Sequence, residues 1–211
     1  MRKRTVRALL IAALLCASNL PSYAWLDASK STFSAKEMDM RTNMRELLSE
    51  YITWERIFVI ETLTGAPDVA AAQTRFIASQ DDICRVFTLY YGDYTGSKMN
   101  DLFKQYNQLI TDYATAEKNR SGKAFININK LYDKVDEIAN LLSMANMNWT
   151  KKDLLDQLKQ YSDFLTAEID KQGNVPGSID AAALDATFTA SMSLADTFSG
   201  GIVQQFPAKF W

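Results

Sequence analysis

Histidine is absent from this 211-residue chain, and cysteine occurs only twice. Without an imidazole there is no His general base, no His metal ligand and no Ser/His or Cys/His nucleophile pair. Two cysteines cannot build a disulfide framework. Eight Gly and four Pro are too few for a collagen-like or low-complexity chain, and 47% hydrophobic residues exclude a disordered one. A formal charge of −2 gives no electrostatic reason to expect nucleic acid as a partner. A Gly-x-Ser-x-Gly elbow, a phosphate-cradling Gly loop followed by Lys, and a twelve-residue calcium loop are all missing. No cofactor is implied.

The residues present say most about compartment and architecture. Arg2, Lys3, Arg4 and Arg7 precede an apolar run from Ala8 to Ala17, and Ser22-Tyr23-Ala24 follows. A basic start, a short apolar stretch and small residues before a cut read as a secretory signal peptide over 1–24, cleaved after Ala24. The expected location is therefore the periplasm or the exterior. Cys16 follows Leu15, where a lipoprotein signal would carry a small residue. Beyond this leader no stretch reaches the ~20 apolar residues of a membrane-spanning helix. Cleavage removes four of 23 basic residues and none of the 25 acidic ones, leaving 19 against 25 and a mature charge of −6. Cys84 is then the sole cysteine, and neighbouring Ile83 and Phe87 suit a buried, inert thiol.

From Ser34 onward the chain is rich in Leu, Ala, Lys, Glu, Gln and Met, a helix-forming composition. Its breakers fall between the periodic stretches: Thr64-Gly65-Ala66-Pro67-Asp68, Gly92 with Gly96, Asn119-Arg120-Ser121-Gly122, Asn146-Met147-Asn148-Trp149-Thr150 and 172–178. Gly200-Gly201 interrupts or closes the last segment. Helices are expected over 35–64, 68–91, 97–118, 124–145, 150–171 and 179–205. Short connections make neighbours antiparallel, so the fold class is all-α, an up-and-down bundle of about six helices in one domain, 25–211.

Tyr51, Tyr106 and Tyr161 recur at a spacing of 55 residues, preceded by Glu50, Gln105 and Gln160, and Asp81-Asp82-Ile83 is echoed by Asp136-Glu137-Ile138 at the same offset. This suggests three repeated helical hairpins. The densest polar and aromatic cluster is Glu50, Tyr51, Trp54, Glu55, Arg56 and Glu61. Tyr51 and Glu55, four apart, share a helix face. Either Tyr51 and Arg56 contact a ligand or anion, or Tyr51 is a core aromatic whose hydroxyl finds a carboxylate while Arg56 forms an inter-helix ion pair. An oxygen-only site for Ca or Mg from Asp81, Asp82, Asp136 and Glu137 competes with the simpler reading of solvated helix faces. The aromatics of Leu89-Tyr90-Tyr91-Gly92-Asp93-Tyr94 and of Phe206, Phe210 and Trp211 suit either a partner or glycan surface or a cap over the bundle's open end.

Ordered motifs run through most of the mature chain: Trp54-Glu55-Arg56, Gly65-Ala66-Pro67-Asp68, Asp82-Ile83, Tyr90-Tyr91-Gly92 with Gly96-Ser97-Lys98, Asp136-Glu137-Ile138-Ala139, Ala145-Asn146-Met147-Asn148-Trp149 and Gly201-Ile202-Val203-Gln204-Gln205-Phe206-Pro207. In these the chain resembles a family of small, mostly uncharacterised bacterial helical-bundle proteins. Labels such as glycosyltransferase or acetylglutamate kinase attached to members have no support in these motifs. The resemblance implies one His in each of the first, third and fifth helices, at positions held here by Tyr51, Tyr106 and Tyr161. Any imidazole-based metal function would be lost with that replacement. The surviving polar interior would have Tyr hydroxyls donating to Asp82 or Glu137, with Arg56 balancing charge.

The expected site is therefore a ligand-binding interior of Tyr51, Arg56, Asp82, Tyr106, Glu137 and Tyr161, with no catalytic residue and no metal. The expected function is an exported bundle that binds a protein partner or small ligand, a secreted host-directed factor being one form of it. The alternatives are a metal-dependent or acid–base enzyme using interior carboxylates and tyrosines, and a structural envelope module. A shared site requires the three tyrosines to lie within reach of one another.

Overall fold

The computed structural model of the chain describes residues 33–121, 124–175 and 180–211, and at 124–127 the backbone alone. The expected signal peptide lies outside the described residues. Ser34–Trp211 form one compact unit, and the described residues are helical, joined by short turns and free of strands. The helices are α1 (Ala35–Thr64), α2 (Val69–Lys118), α3 (Ala124–Ala145), α4 (Lys151–Asn174), α5 (Ala181–Gln205) and the one-turn α6 (Pro207–Phe210). None is long and apolar enough to cross a membrane.

Helix ends follow local chemistry. Ser34, Thr150 and Asp180 cap α1, α4 and α5 by accepting from the backbone N–H three residues on, which satisfies a donor that the first turn leaves free. Gly65 closes α1 in the left-handed region, at φ 73°. Asp68 stands at the start of α2 without a side-chain cap bond, so its contribution there is its backbone carbonyl, which accepts from Ala71 and Ala72.

The expected segments 68–91 and 97–118 are two arms of α2 that meet at a single residue. Gly92, at φ 79° and ψ 172°, leaves helical geometry in a region essentially reserved for glycine. Gln80 on the first arm bonds Asn100 and Asn107 on the second, so the arms fold back antiparallel. Gly96 is therefore not a breaker. It lies within the second arm, where a Cβ would come 2.8 Å from the Cα of Thr88, and only glycine permits so close a crossing. Gly200 and Gly201 likewise sit inside α5 without breaking it. Gly201 faces the Trp149 indole, 1.9 Å from where a Cβ would stand.

Counting the two arms separately, α1, α3, α4 and α5 complete the expected six rods. α1 packs on α2, α2 on α3, α3 on α4, α4 on α5 and α5 back on α1, which closes the bundle. Contacts of α4 with both α1 and α2 bring the alternate rods together at the centre. Met44, Phe76, Ile83, Phe87, Ile110, Ile138 and Phe198 fill the core.

Candidate functional site

Tyr51 on α1, Tyr106 on the second arm of α2 and Tyr161 on α4 are all buried, and all three line one internal cavity of about 30 Å³. The cavity is completed by Leu48, Phe103, Ile138, Leu158, Ser191, Leu194 and Phe198, and its wall is chiefly apolar. The tyrosines meet there because a spacing of 55 residues is one hairpin, so each equivalent rod presents its tyrosine at the same height.

The hydroxyls turn away from the cavity into a cyclic set of bonds. Tyr51 donates to Asn107 Oδ1 at 2.7 Å, and Tyr106 bonds Ser162 Oγ at 3.0 Å. Asn107 and Ser162 directly follow the next tyrosine in the repeat, so each ring reaches across to the neighbouring rod. The third step breaks this rule because the residue after Tyr51 is the apolar Ile52. Tyr161 instead donates to Glu55 Oε2, whose other oxygen lies 3.4 Å from the Tyr51 hydroxyl. Asn107 continues outward through Gln80 at 2.7 Å to Asn100.

Glu55 is the charged centre of this set, and it is 1% exposed. Burial raises its pKa to about 8, the nearby Glu168 adds to the rise, and the Tyr161 and Tyr51 hydroxyls offset part of it. Burial, then the Glu55 charge, push Tyr51, Tyr161 and Tyr106 above the ordinary phenol range. Glu168 is raised by burial and held back by its ion pair with Arg56. Cys84 is buried and free; burial, then Asp81, push its thiol up to about 12, so it stays protonated and inert at neutral pH.

No protein-family model, curated protein or solved structure matches this chain.

Of the expected site residues, Tyr51, Tyr106 and Tyr161 come together around one cavity, while Arg56 forms an inter-helix ion pair with Glu168. Asp82 and Glu137 do not join them. Asp82 pairs with Arg85 one turn along, and Glu137, its side chain 54% exposed, pairs with Lys134 at 2.9 Å. The repeat turns Ile83 and Ile138 inward, which puts their acidic neighbours on the outer faces. Asp136 bonds Lys151 at 3.0 Å, so the four acids considered for Ca or Mg do not converge. Among the described residues no three Cys, Asp or Glu gather as a metal cage.

The residues that complete the network are Glu55, Asn107, Gln80 and Ser162. Of these only Glu55 had a sequence signal, its position four residues after Tyr51. As folded, the cavity has room for a water-sized guest and no more.

Proposed function

We propose that this chain is an exported helical-bundle protein that acts by docking a protein partner at one end of the bundle, and that it belongs to the family of small bacterial bundle proteins whose motifs it shares. The start over 1–24 supports export. The contrast between a tightly filled interior and an apolar end carries the rest. The cavity between the three tyrosines, about 30 Å³, has no room for an organic ligand at the expected interior site, which favours the partner over a small molecule held there.

At the end where α1 starts, Tyr90 stacks on Phe210 with centroids 6.0 Å apart, and Tyr91 packs on Trp149 and Phe206 at 5.6 Å each. These rings cap the bundle. Around them Leu89, Tyr94, Met144, Met147 and Trp211 are exposed, Met147 to 91%. Large apolar side chains left exposed beyond a completed cap support an interaction surface at this end. Flexible methionines beside aromatics suit the apolar face of another protein, such as an amphipathic helix.

A photo-crosslinking amino acid at Met147, compared with one at Thr64 at the opposite end of α1, tests the reading in the producing cell. One discrete protein adduct at 147, lost on Leu89→Asp and absent at 64, is the expected result. No adduct at either position returns the protein to the structural envelope alternative.

A further inference from the structure

The Tyr51 hydroxyl has one hydrogen and two acceptors, Asn107 Oδ1 at 2.7 Å and Glu55 Oε1 at 3.4 Å. Its position is that of a hydroxyl donating to Asn107, with the longer contact free to accept the hydrogen of a neutral Glu55. An ionised Glu55 would need that hydrogen for itself, because a buried carboxylate with one donor is left unsatisfied on its second oxygen. Both demands cannot be met together.

The bond at stake holds more than one side chain. Asn107 passes its own N–H to Gln80, and Gln80 passes one to Asn100 at 2.5 Å, so the chain ties the two arms of α2 across a cleft of 240 Å³. Gln73, Phe76, Gln80, Lys104, Asn107 and Thr111 are among its walls. We propose that Glu55 is a proton-operated latch on α2: neutral, it leaves the Tyr51 hydrogen on Asn107 and the arms clamped; ionised, it captures that hydrogen and loosens the amide chain that joins the arms along the wall of the cleft. In the step Glu55 loses one proton to bulk solvent, Tyr51 turns its O–H from Asn107 to Glu55, and no covalent bond other than Glu55 O–H breaks.

The titratable groups around Glu55 come from α1, α2 and α4. α1 supplies Tyr51 and Arg56, the latter engaged by Glu168. α2 supplies Tyr106 and Cys84, both held neutral by burial, with Asp81 and Lys104 beyond the thiol. α4 supplies Tyr161 and Glu168. α3 and α5 face the cavity with Ile138, Ser191, Leu194 and Phe198, none of which titrates. Burial raises Glu55 to about 8, and Glu168, raised by burial in the same direction, is held back by its pair with Arg56.

Amide hydrogen exchange between about pH 6 and about pH 9.5 tests the latch, read as protection factors so that the intrinsic pH dependence is removed. In the wild type, protection over 76–84 and 100–111 should fall about five- to tenfold more across the step than protection in the rest of the bundle, the equivalent of one buried hydrogen bond beyond the global change. Glu55→Gln, which mimics the neutral acid, should stay clamped throughout. Tyr51→Phe should be loose at every pH. A flat wild-type profile, or the same step in either variant, overturns the proposal. Should neither variant fold, the wild type still decides: the infrared band of a protonated buried carboxyl must vanish with the midpoint of the exchange step, and separate midpoints overturn it.

Discussion

Glu55 is the residue at which burial and charge conflict most. Its folded pKa of about 8 stands above the ordinary value of 4.5, so the folded state holds a proton that the unfolded state releases. The contribution is complete below about pH 4.5, falls as pH rises toward about 8 and is constant above, on the order of 5 kcal/mol over the window. Urea unfolding from about pH 5 to about pH 8 should therefore show wild-type stability declining and Glu55→Gln declining less, with the residual slope from Glu168, which is raised in the same direction. Parallel curves would remove Glu55 from the account. Tyr161 works against the rise by donating to the carboxylate. Tyr161→Phe should move the infrared midpoint of Glu55 upward, and an unmoved or lower midpoint would show that this bond does not stabilise the ionised form. The tyrosines were legible in the sequence because a ring on every equivalent rod leaves a periodic mark. Asn107 and Ser162 were not, since their role exists only once neighbouring rods dock. The acids were the weakest signal. Glu55 and Glu137 look alike on a helix, and only the phase of the rod in the bundle decides that one is buried and the other paired with Lys134.

At the scale of elements, glycine does two different jobs that sequence alone merges into one. Both kinds read as breakers, yet Gly92 is required for its dihedral angles, whereas Gly96 and Gly201 are required for the absence of a side chain. Gly92 has open space where a Cβ would stand. Gly92→Ala should therefore cost about 1–3 kcal/mol in urea unfolding from backbone strain alone, with the core unchanged. Gly201→Ala works by collision, because its Cβ would meet Trp149 Nε1 and disturb the 2.9 Å bond from that indole N–H to the Thr197 carbonyl. A loss of about 1–3 kcal/mol is expected from overpacking, together with a shift of the Trp149 indole N–H resonance that Gly92→Ala does not produce. If both variants move that resonance equally, the two glycines share one role. The limits of α1, expected at 35 and 64 and found there, were well marked by Ser34 and Gly65, whose chemistry acts within a few residues. Tertiary demands such as the Trp149 contact act across the fold and leave no local trace.

For the whole molecule, exposed apolar side chains occur at several places, among them Ile77, Val175 and Phe188, and five of them, Leu89, Tyr94, Met144, Met147 and Trp211, belong to the end where α1 starts. There the chain's C-terminal turn is a structural plug: Phe210 is buried against Tyr90, and its carbonyl accepts from Ser34 Oγ at the start of α1. Phe210→Ala removes both the ring contact and the packing that holds this junction, and should cost about 3 kcal/mol. Met147 stands at the same end but takes no part in the plug, being almost fully exposed. Met147→Ser should change stability by no more than about 0.5 kcal/mol, while weakening capture of the partner by a photo-crosslinker placed at Leu89. The two substitutions separate capping from docking because they are close in space and opposite in expectation. Loss of stability in Met147→Ser would make that side chain part of the cap. A Met147→Ser protein that remains stable and crosslinks as before would leave the exposed apolar end without a binding role, and the bundle's function would then have to be sought in its proton-sensitive interior.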